Sequence, residues 1–383
     1  MCLVSKKILF VTDLSFIGSG YMYLSIPLCK GLVEQGYEVK AVGLGNDGSE
    51  HDLPFSILPA GNFKVAHAIV HNLHHLDWIP DVVIVALDIP HQEFFIEKFK
   101  NLSSKYIAIT PLENGPLTMS WAAPLMLADG IFFISELGTQ EAHKAGIAKA
   151  EHLFIGADTV SWPVPDAVTR NRIRASMELE DKFVVLTVAD NQERKNLWAA
   201  MDIVSKAKKA GVKHLHYIMV TREHSPVGHK IRDLAVELDI NDELTIMERG
   251  LSHDILWSMY AASDLFLLTS KAEGLGLPIL EAMCCGVPVM ATDTGAITEL
   301  LADDRGFAIP PEYTFTDVWG NSKRDMIDRD YASIEIENIA IDKNDKKGGA
   351  SYRAKNARKY VEARTWDAPV QQLISKIKEL TDG

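Results

Sequence analysis

Hydrophobic residues along this chain fall mostly in short continuous runs, not in strict alternation with polar ones. The first half has such runs, rich in β-branched residues, at residues 8–11, 39–44, 82–87, 106–110, 131–134 and 152–155. Continuous apolar runs of this length are typical of parallel strands that are covered on both faces. A glycine loop and a helical segment that ends near Gly36 follow the first run, which predicts a βαβ opening.

A second cycle of the same kind follows the proline-bearing stretch at residues 162–165. Because the residue before a proline is biased away from the helical region, this stretch favours a domain boundary. Apolar runs that predict strands then occur at residues 183–189, 216–221, 244–247, 265–269, 287–291 and 307–309. Strands that alternate with helices in two cycles predict an α/β fold with two Rossmann-like halves.

A chain of 383 residues is also longer than one hydrophobic core usually serves. We therefore expect a first domain over 1–162 and a second over 163–365, with a final helix at about 366–383 that packs back on the first. Two facing doubly wound domains leave a cleft at the carboxyl ends of their sheets, where such sheets bind ligands. The polar, charged segment 331–349 predicts an exposed loop region before the last helices.

Composition and charge restrict the classes of partner. The net charge of -13, from 39 Lys+Arg against 52 Asp+Glu, argues against a nucleic-acid partner. No apolar run approaches the roughly 20 residues that span a bilayer, and Asp13 interrupts the N-terminal run before any small-residue cleavage site. The four cysteines lack metal-ligand spacing. We expect a cytoplasmic protein without a transmembrane segment, and peripheral membrane contact stays open.

The most informative motif lies at residues 271–283, directly after an apolar strand. It runs from a strand through a glycine loop into a helix, and Gly274 and Gly276 allow close approach of the backbone. Free N–H groups at the start of such a helix can hold a diphosphate. A carboxylate at Glu281 suits a pair of vicinal ribose hydroxyls, and Glu273 would accept hydrogen bonds from sugar hydroxyls.

This motif resembles that of glycosyltransferase family 4, in which two glutamates separated by seven residues flank a glycine-rich loop. The segments 286–289 and 292–295 resemble what that family carries next. The resemblance implies a GT-B fold and transfer with retention of anomeric configuration. It also implies that the first glutamate contacts the donor sugar, the loop amides contact the sugar and the phosphates, and the second glutamate holds the ribose. Those roles fall to Glu273, Gly274, Leu275, Gly276, Leu277 and Glu281.

A second loop, at residues 189–196, follows another strand and precedes a helix. Its adjacent cations Arg194 and Lys195 can neutralise a diphosphate leaving group, although a solvated turn of mixed charge is the alternative. The family resemblance leads us to expect an arginine at the start of this loop and a lysine near its end. Lys195 matches the lysine, but Asp190 stands at the arginine's position. Whether Arg194 supplies the missing charge stays open.

The first half contributes further candidates for substrate binding and catalysis. Glycines open the helix after the first strand, where their amides could meet a donor phosphate or an acceptor, unless they only form a tight turn. His91 follows the strand at 82–87, where the family often carries a histidine near the reacting sugar, but a helix-start histidine without a role is equally compatible. The substrate-binding candidates of this half are Gly18, Ser19, Gly20, Glu113 and Asn114.

Together these features predict a retaining glycosyltransferase in glycan or glycoconjugate synthesis. Its donor would be a UDP- or GDP-sugar, and its acceptor a hydroxyl of a saccharide, a lipid-linked group or another molecule. We expect no metal and no cofactor, since side-chain cations can stabilise the leaving group. An NAD-dependent oxidoreductase is an alternative, although Tyr23 occupies the third glycine position of a dinucleotide loop. A nucleotide-sugar-binding protein without transferase activity is another.

Overall fold

A computed structural model describes residues 5–16, 18–73, 78–100, 104–341 and 348–382, without the side chain of Lys100. The described chain divides into two compact units. The first comprises Met1–Gly156, Val318–Ser322 and Trp366–Gly383, and the second comprises Ala157–Asp317 and Lys323–Thr365. Each unit has its own parallel sheet and its own hydrophobic core.

The first unit alternates strands and helices, as its apolar runs predict. Its strands are β1 (Lys7–Asp13), β2 (Glu38–Leu44), β3 (Ser56–Ala60), β4 (Val82–Ala86), β5 (Lys105–Thr110), β6 (Gly130–Phe133) and β7 (Ala150–His152). Its helices are α1 (Gly20–Glu34), α2 (Phe63–Asn72), α3 (Ile89–Lys100), α4 (Met119–Leu125), α5 (Glu136–Lys144) and the last helix of the chain, Asp367–Asp382. Every residue of β4 is buried, in accord with a strand covered on both faces.

The first sheet is parallel and has the strand order β3-β2-β1-β4-β5-β6-β7. The chain winds outward from β1 in one direction to β3 and then in the other direction from β4 to β7. The order therefore reverses between β1 and β4, and open α/β sheets bind ligands at the carboxyl ends of the strands at such a switch point.

The C-terminal helix packs closely against α1 in the first unit. A Cβ atom placed on Gly31 would lie 2.5 Å from a methyl carbon of Val370, so only a glycine at this position allows the two helices to approach so closely. Further along the same helix, Lys376 forms an ion pair with Glu151 of β7. The first unit is thus built from both ends of the chain.

The second unit repeats the pattern and adds an antiparallel hairpin. Its strands are β8 (Phe183–Val188), β9 (Leu215–Thr221), β10 (Leu244–Glu248), β11 (Leu265–Leu268), β12 (Val289–Thr292), β13 (Phe307–Ile309), β14 (Pro311–Thr316) and β15 (Lys323–Ile327). Its helices are α6 (Ala167–Ser176), α7 (Leu197–Ala210), α8 (Ile231–Glu237), α9 (His253–Ala262), α10 (Leu277–Cys284), α11 (Gly295–Leu301), α12 (Arg329–Ile341) and α13 (Ala350–Glu362), so that the C-terminal helix is α14.

The second sheet is also parallel, in the order β10-β9-β8-β11-β12-β13. Its order reverses between β8 and β11. The loop after β8 carries Arg194 and Lys195, and the loop after β11 carries Glu273 and the glycines. Both candidate donor loops therefore flank the switch point of this sheet.

Two local predictions were wrong, and three strands were not predicted. The segment 331–349 is not a loop over its first part, because α12 runs through Ile341 and buries Ala332 and Ile336; residues 342–347 lie outside the described part of the chain. The strand predicted at 152–155 is β7, which ends at His152. Strand β3 and the hairpin β14–β15 were not predicted, since β14 is almost wholly exposed and carries no apolar run.

Candidate active site

The loop after β11 holds a buried carboxylate between two cations. Glu273 is 6% exposed and accepts hydrogen bonds from Arg194 Nη1 at 2.9 Å, from Lys195 Nζ at 2.5 Å and from Ser270 Oγ at 2.6 Å. Burial alone would raise the pKa of Glu273, but the charges of Lys195 and Arg194 and the hydrogen bonds from Lys195 and Ser270 lower it to about 2. Glu273 is therefore ionised at neutral pH.

The loop after β8 is folded so that its cations reach Glu273. Residues Glu193–Lys195 form a 3-10 turn, and Asn196 adopts a left-handed conformation with φ 52 before α7 begins. Arg194 also donates to the carbonyl of Ala272 at 2.6 Å, and its own carbonyl accepts from Lys271 N at 2.9 Å. The two loops are thus joined by side-chain and backbone hydrogen bonds, and their cluster of Arg194, Lys195 and Glu273 has a net positive charge.

A glycine begins the helix that follows Glu273. Gly276 has φ 92, a conformation that L side chains rarely adopt, and α10 starts at the next residue, Leu277. Gly274 and Leu275 are buried in the same loop. No side chain caps this helix among the residues described, so its first N–H groups are of the kind that bind an anion.

Glu281 lies in the second turn of α10 and contacts α9. Tyr260 donates a hydrogen bond of 2.7 Å from its hydroxyl to Glu281 Oε2. Burial raises the pKa of Glu281 to about 7, although the hydrogen bond from Tyr260 opposes this rise. The two glutamates of the motif are therefore in opposite electrostatic environments, one held ionised and the other near half-protonated at neutral pH.

Lys271 and the hairpin β14–β15 hold the loop after β11 in place. Lys271 forms an ion pair with Glu193, and its carbonyl accepts from Asp325 N of β15 at 2.9 Å. Asp325 in turn accepts hydrogen bonds from Thr294, at 2.6 Å, and from Thr314. The hairpin therefore fixes the start of the β11 loop to the start of α11, a contact that the sequence did not predict.

Asp190, at the position where the resemblance leads to an arginine, is itself bound to arginines. Arg222 Nε and Nη2 each donate to its carboxylate at 2.6 Å, and Arg249 Nη1 lies 3.4 Å from Oδ1. Sequence reasoning missed both arginines. The signal that would have found them is positional, because each directly follows a strand of the second sheet, β9 and β10.

The first unit gathers its candidates at the carboxyl ends of β1, β4 and β5. Gly18 has φ 110, and Ser19 caps α1, which begins at Gly20, by accepting a hydrogen bond from Tyr21 N at 3.2 Å. The hydroxyl of Tyr21 donates to Asp88 at 2.7 Å. Its pKa is raised well above the ordinary value by burial, by Asp88 and by the charges of Glu113 and Asp13.

Asn114 is fixed by a hydrogen bond to its backbone carbonyl, whereas His91 is fixed by a ring contact. Asn114 follows β5, and its carbonyl accepts a hydrogen bond of 2.8 Å from Ser322, in the segment Val318–Ser322 of the same unit. His91 lies in the first turn of α3, where its ring packs on Phe63 with 4.2 Å between ring centroids. Within the described ranges its ring makes no hydrogen bond or ion pair, so its expected catalytic role rests on position alone.

Neither a metal-binding group of side chains nor a membrane-spanning helix is found among the described residues. Among them, no three or more His, Cys, Asp or Glu side chains are grouped so that they could hold a metal ion. Within the same residues, no helix is both long enough and apolar enough to cross a membrane.

The family model that matches this chain covers residues of its second unit. Residues 169–317 match the family model described as "Glycosyl transferases group 1". D-inositol 3-phosphate glycosyltransferase of Mycobacteroides abscessus is 31% identical over 99 residues, which are 26% of this chain and 22% of that protein. The serotype-specific mannosyltransferase WbdA of Escherichia coli is 26% identical over 187 residues, 48% of this chain and 23% of that protein. The alignments thus span less than a quarter of these curated relatives.

The fold similarity extends over the whole chain. HepE of Anabaena, solved in complex with UDP and glucose, superposes with a TM-score of 0.75 at 17% identity, over 98% of this chain and 100% of the other. The predicted fold class is confirmed by this similarity and by the two parallel Rossmann-like sheets. The chain therefore has the GT-B fold of glycosyltransferases, and residues 169–317 of its second unit are similar to the group 1 glycosyltransferases.

Proposed function

We propose that this protein is a glycosyltransferase of family 4 that transfers a sugar from a UDP- or GDP-sugar to an acceptor hydroxyl. The observation that carries the proposal is the ionised Glu273, bound by Lys195 and Arg194 directly before the uncapped start of α10. The names of the relatives support the transferase reaction, and the UDP bound to HepE supports a nucleotide donor.

The donor would bind along the β11 loop and α10. The N–H groups of Gly274, Leu275, Gly276 and Leu277 would contact the diphosphate. Glu273 would accept hydrogen bonds from hydroxyls of the donor sugar, and Glu281 would bind the ribose hydroxyls when ionised. This division of roles uses the contrast in pKa between the two glutamates, because only Glu273 is firmly ionised at neutral pH.

The reaction would proceed with retention. The acceptor oxygen forms a bond to the anomeric carbon on the face from which the diphosphate leaves, the bond from that carbon to the phosphate oxygen breaks, and the departing oxygen takes the acceptor's proton. Negative charge grows on the diphosphate as the bond breaks. Arg194 and Lys195 together outweigh Glu273 by one positive charge, and this surplus would stabilise the leaving group.

We propose that no metal or other cofactor is needed, because these side-chain cations and the amides of α10 supply the stabilisation of charge. Excess EDTA should then leave turnover within about twofold of its untreated value. Loss of activity with EDTA that added Mg²⁺ or Mn²⁺ restores would contradict this part of the proposal.

The first unit would bind the acceptor, a saccharide or lipid-linked hydroxyl compound in glycan or glycoconjugate synthesis. Gly18, Ser19, Gly20, Glu113 and Asn114 lie at the carboxyl ends of β1 and β5, and His91 follows β4. Carboxylate and amide groups suit the hydroxyls of such an acceptor.

We also propose a cytoplasmic location, which the free thiols of Cys29, Cys284 and Cys285 favour, with peripheral membrane contact where the acceptor is a lipid.

Thermal stabilisation by candidate ligands tests the class of protein. A UDP- or GDP-sugar at a hundred times its Kd should stabilise the fold by about 2.7 kcal/mol, whereas NAD should not. Stabilisation by NAD alone would favour the oxidoreductase, and binding of a nucleotide sugar without turnover would favour a binding protein. The anomeric configuration of the product, read by NMR, tests retention.

A further inference from the structure

Three charged residues follow three neighbouring strands of the second sheet. Asp190 comes after β8, Arg222 directly after β9 and Arg249 directly after β10. Because β10, β9 and β8 are adjacent and parallel, these residues meet at one carboxyl edge, on one side of the switch point. None of the roles assigned above uses the two arginines.

Asp190 orients Arg222 through a bidentate contact. Both carboxylate oxygens accept at 2.6 Å, one from Nε and the other from Nη2, and Arg249 lies within ion-pair distance of the same carboxylate. Burial raises the pKa of Asp190, but the hydrogen bonds from Arg222 and Gln192 and the arginine charges lower it below its ordinary value. The ionised Asp190 thus pairs with two arginines, and the charge of Glu248 also acts on Arg222 and raises its pKa.

The two arginines are more exposed than the carboxylate that they bind. The side chains of Arg222 and Arg249 are 35% and 34% exposed, against 15% for Asp190. Arg222 uses Nε and Nη2 on Asp190, and its Nη1 has no hydrogen-bond partner in the described part of the chain. The partly exposed Arg222 guanidinium therefore keeps Nη1 for a further acceptor.

The loop that carries Arg222 is fixed to the loop that carries Asp190. Asn191 donates to the carbonyl of His229 and accepts from its N–H, each at 2.8 Å. A Cβ atom on Gly228 would lie 2.2 Å from Asn191 Oδ1, so the two loops approach as closely as a glycine allows. The cluster is thus held in place before any ligand binds, which lowers the entropic cost of binding.

We propose that Arg222 and Arg249, positioned by Asp190, form an anion subsite that binds phosphate oxygens of the nucleotide donor. The proposal rests on the proposed function and adds to it. A guanidinium fork matches phosphate in geometry and charge. Here Arg222 follows β9, the neighbour of β8, and Arg249 follows β10, the next strand outward. In this chain the β9 and β10 loops then add two cations to Arg194 and Lys195 of the β8 loop, which has an acid at the position of the expected arginine.

Calorimetric titration with nucleotides and nucleosides tests this subsite. Wild-type protein is titrated with UDP, UMP and uridine and with GDP, GMP and guanosine. The series whose base binds is then repeated with Arg222→Ala and Arg222→Gln, and the Kd values are compared with those of the wild type. Both variants should raise the Kd for the diphosphate about tenfold to a hundredfold and leave the Kd for the nucleoside unchanged. The loss should shrink at high salt. Arg232→Ala is the matched control, because Arg232 also pairs with an acid but is 49% exposed.

The outcomes separate the two proposals. An unchanged Kd for the diphosphate in both Arg222 variants, or an equal loss for the nucleoside, would overturn the phosphate subsite and leave the transferase proposal intact. Competition by inorganic phosphate against uridine or guanosine binding, with no gain from the diphosphate over the nucleoside, would point to a phosphate from another source and would also overturn it. Wild-type protein that binds no nucleotide would contradict the proposed function itself.

Discussion

Arg194, in the loop after β8, donates a hydrogen bond of 2.9 Å to Glu273, in the loop after β11, although the two residues are 79 positions apart in the sequence. Lys195 contacts the other carboxylate oxygen, so each oxygen of Glu273 is bound by a cation. The carboxylate therefore both keeps the two cations in place and remains ionised beside a helix start. A donor needs a negative group near the hydroxyls of its sugar and positive groups near its diphosphate, which are the two sides of the bond that breaks.

Glu273→Gln should destabilise the protein in a pH-dependent way. The folded-state pKa of about 2 is lower than the ordinary value of 4.5, so ionised Glu273 stabilises the fold above about pH 4.5, and this contribution is lost as pH falls toward 2. We expect the variant to lose about 3 kcal/mol of unfolding free energy at pH 7 and much less near pH 2.5. Urea denaturation at both pH values measures this, and a pH-independent difference would contradict the ion-pair account.

Nucleotide affinity should depend on the protonation of Glu281. With a pKa of about 7, Glu281 is largely protonated at pH 6 and largely ionised at pH 8. Because only the carboxylate accepts from both ribose hydroxyls, we expect nucleoside diphosphate affinity to rise by about tenfold from pH 6 to pH 8. Glu281→Gln should abolish this rise, and Glu281→Ala should cost about 1–3 kcal/mol of binding at pH 8. Unchanged affinity in both variants would exclude the ribose role.

Tyr260→Phe provides a finer test of the same group. The hydrogen bond from Tyr260 lowers the pKa of Glu281, so its removal should raise that pKa further. The midpoint of the affinity-versus-pH curve should move to higher pH, while affinity at pH 9 stays within about twofold of wild type. A midpoint that moves down, or does not move, would show that Glu281 is not the group that titrates.

Lys195→Ala should lower turnover by about a hundredfold or more, because its charge is placed to stabilise the leaving diphosphate. Initial rates at saturating donor measure the effect. Lys206→Ala is a suitable control, since Lys206 also pairs with an acid, Asp330, but on the exposed surface of α7 and α12. If Lys195→Ala and Lys206→Ala have equal kcat, the leaving-group role of Lys195 is wrong.

The sequence predicted the sheets well and their edges poorly. Strands such as β4 and β11 are short apolar runs, and their burial on both faces leaves that pattern in the sequence. By contrast, β14 is exposed along most of its length, so nothing in its polarity marks it as a strand. Helix α12 was read as a loop because the polar and charged residues 342–347 and two glycines follow it in the same segment, although its residues Ala332 and Ile336 are buried.

For the site, the sequence identified the loops but not their contacts. Position after a strand end identified Glu273, Arg194 and Lys195 as neighbours of a switch point. That the cations bind Glu273 itself depends on the 3-10 turn and the left-handed Asn196, which no spacing rule reveals. Arg222 directly follows β9, but its contact with Asp190 was missed because Asp190 lies in the loop after another strand, β8.

The most direct test of the central claim is release of nucleoside diphosphate from a panel of UDP- and GDP-sugars, followed without any acceptor by chromatography. The account predicts slow hydrolysis of at least one nucleotide sugar by the wild-type protein, reduced about a hundredfold or more in Lys195→Ala and unaffected in Lys206→Ala. A folded wild-type protein that releases no UDP or GDP from any donor, or that releases it at the same rate after loss of Lys195, would contradict the account.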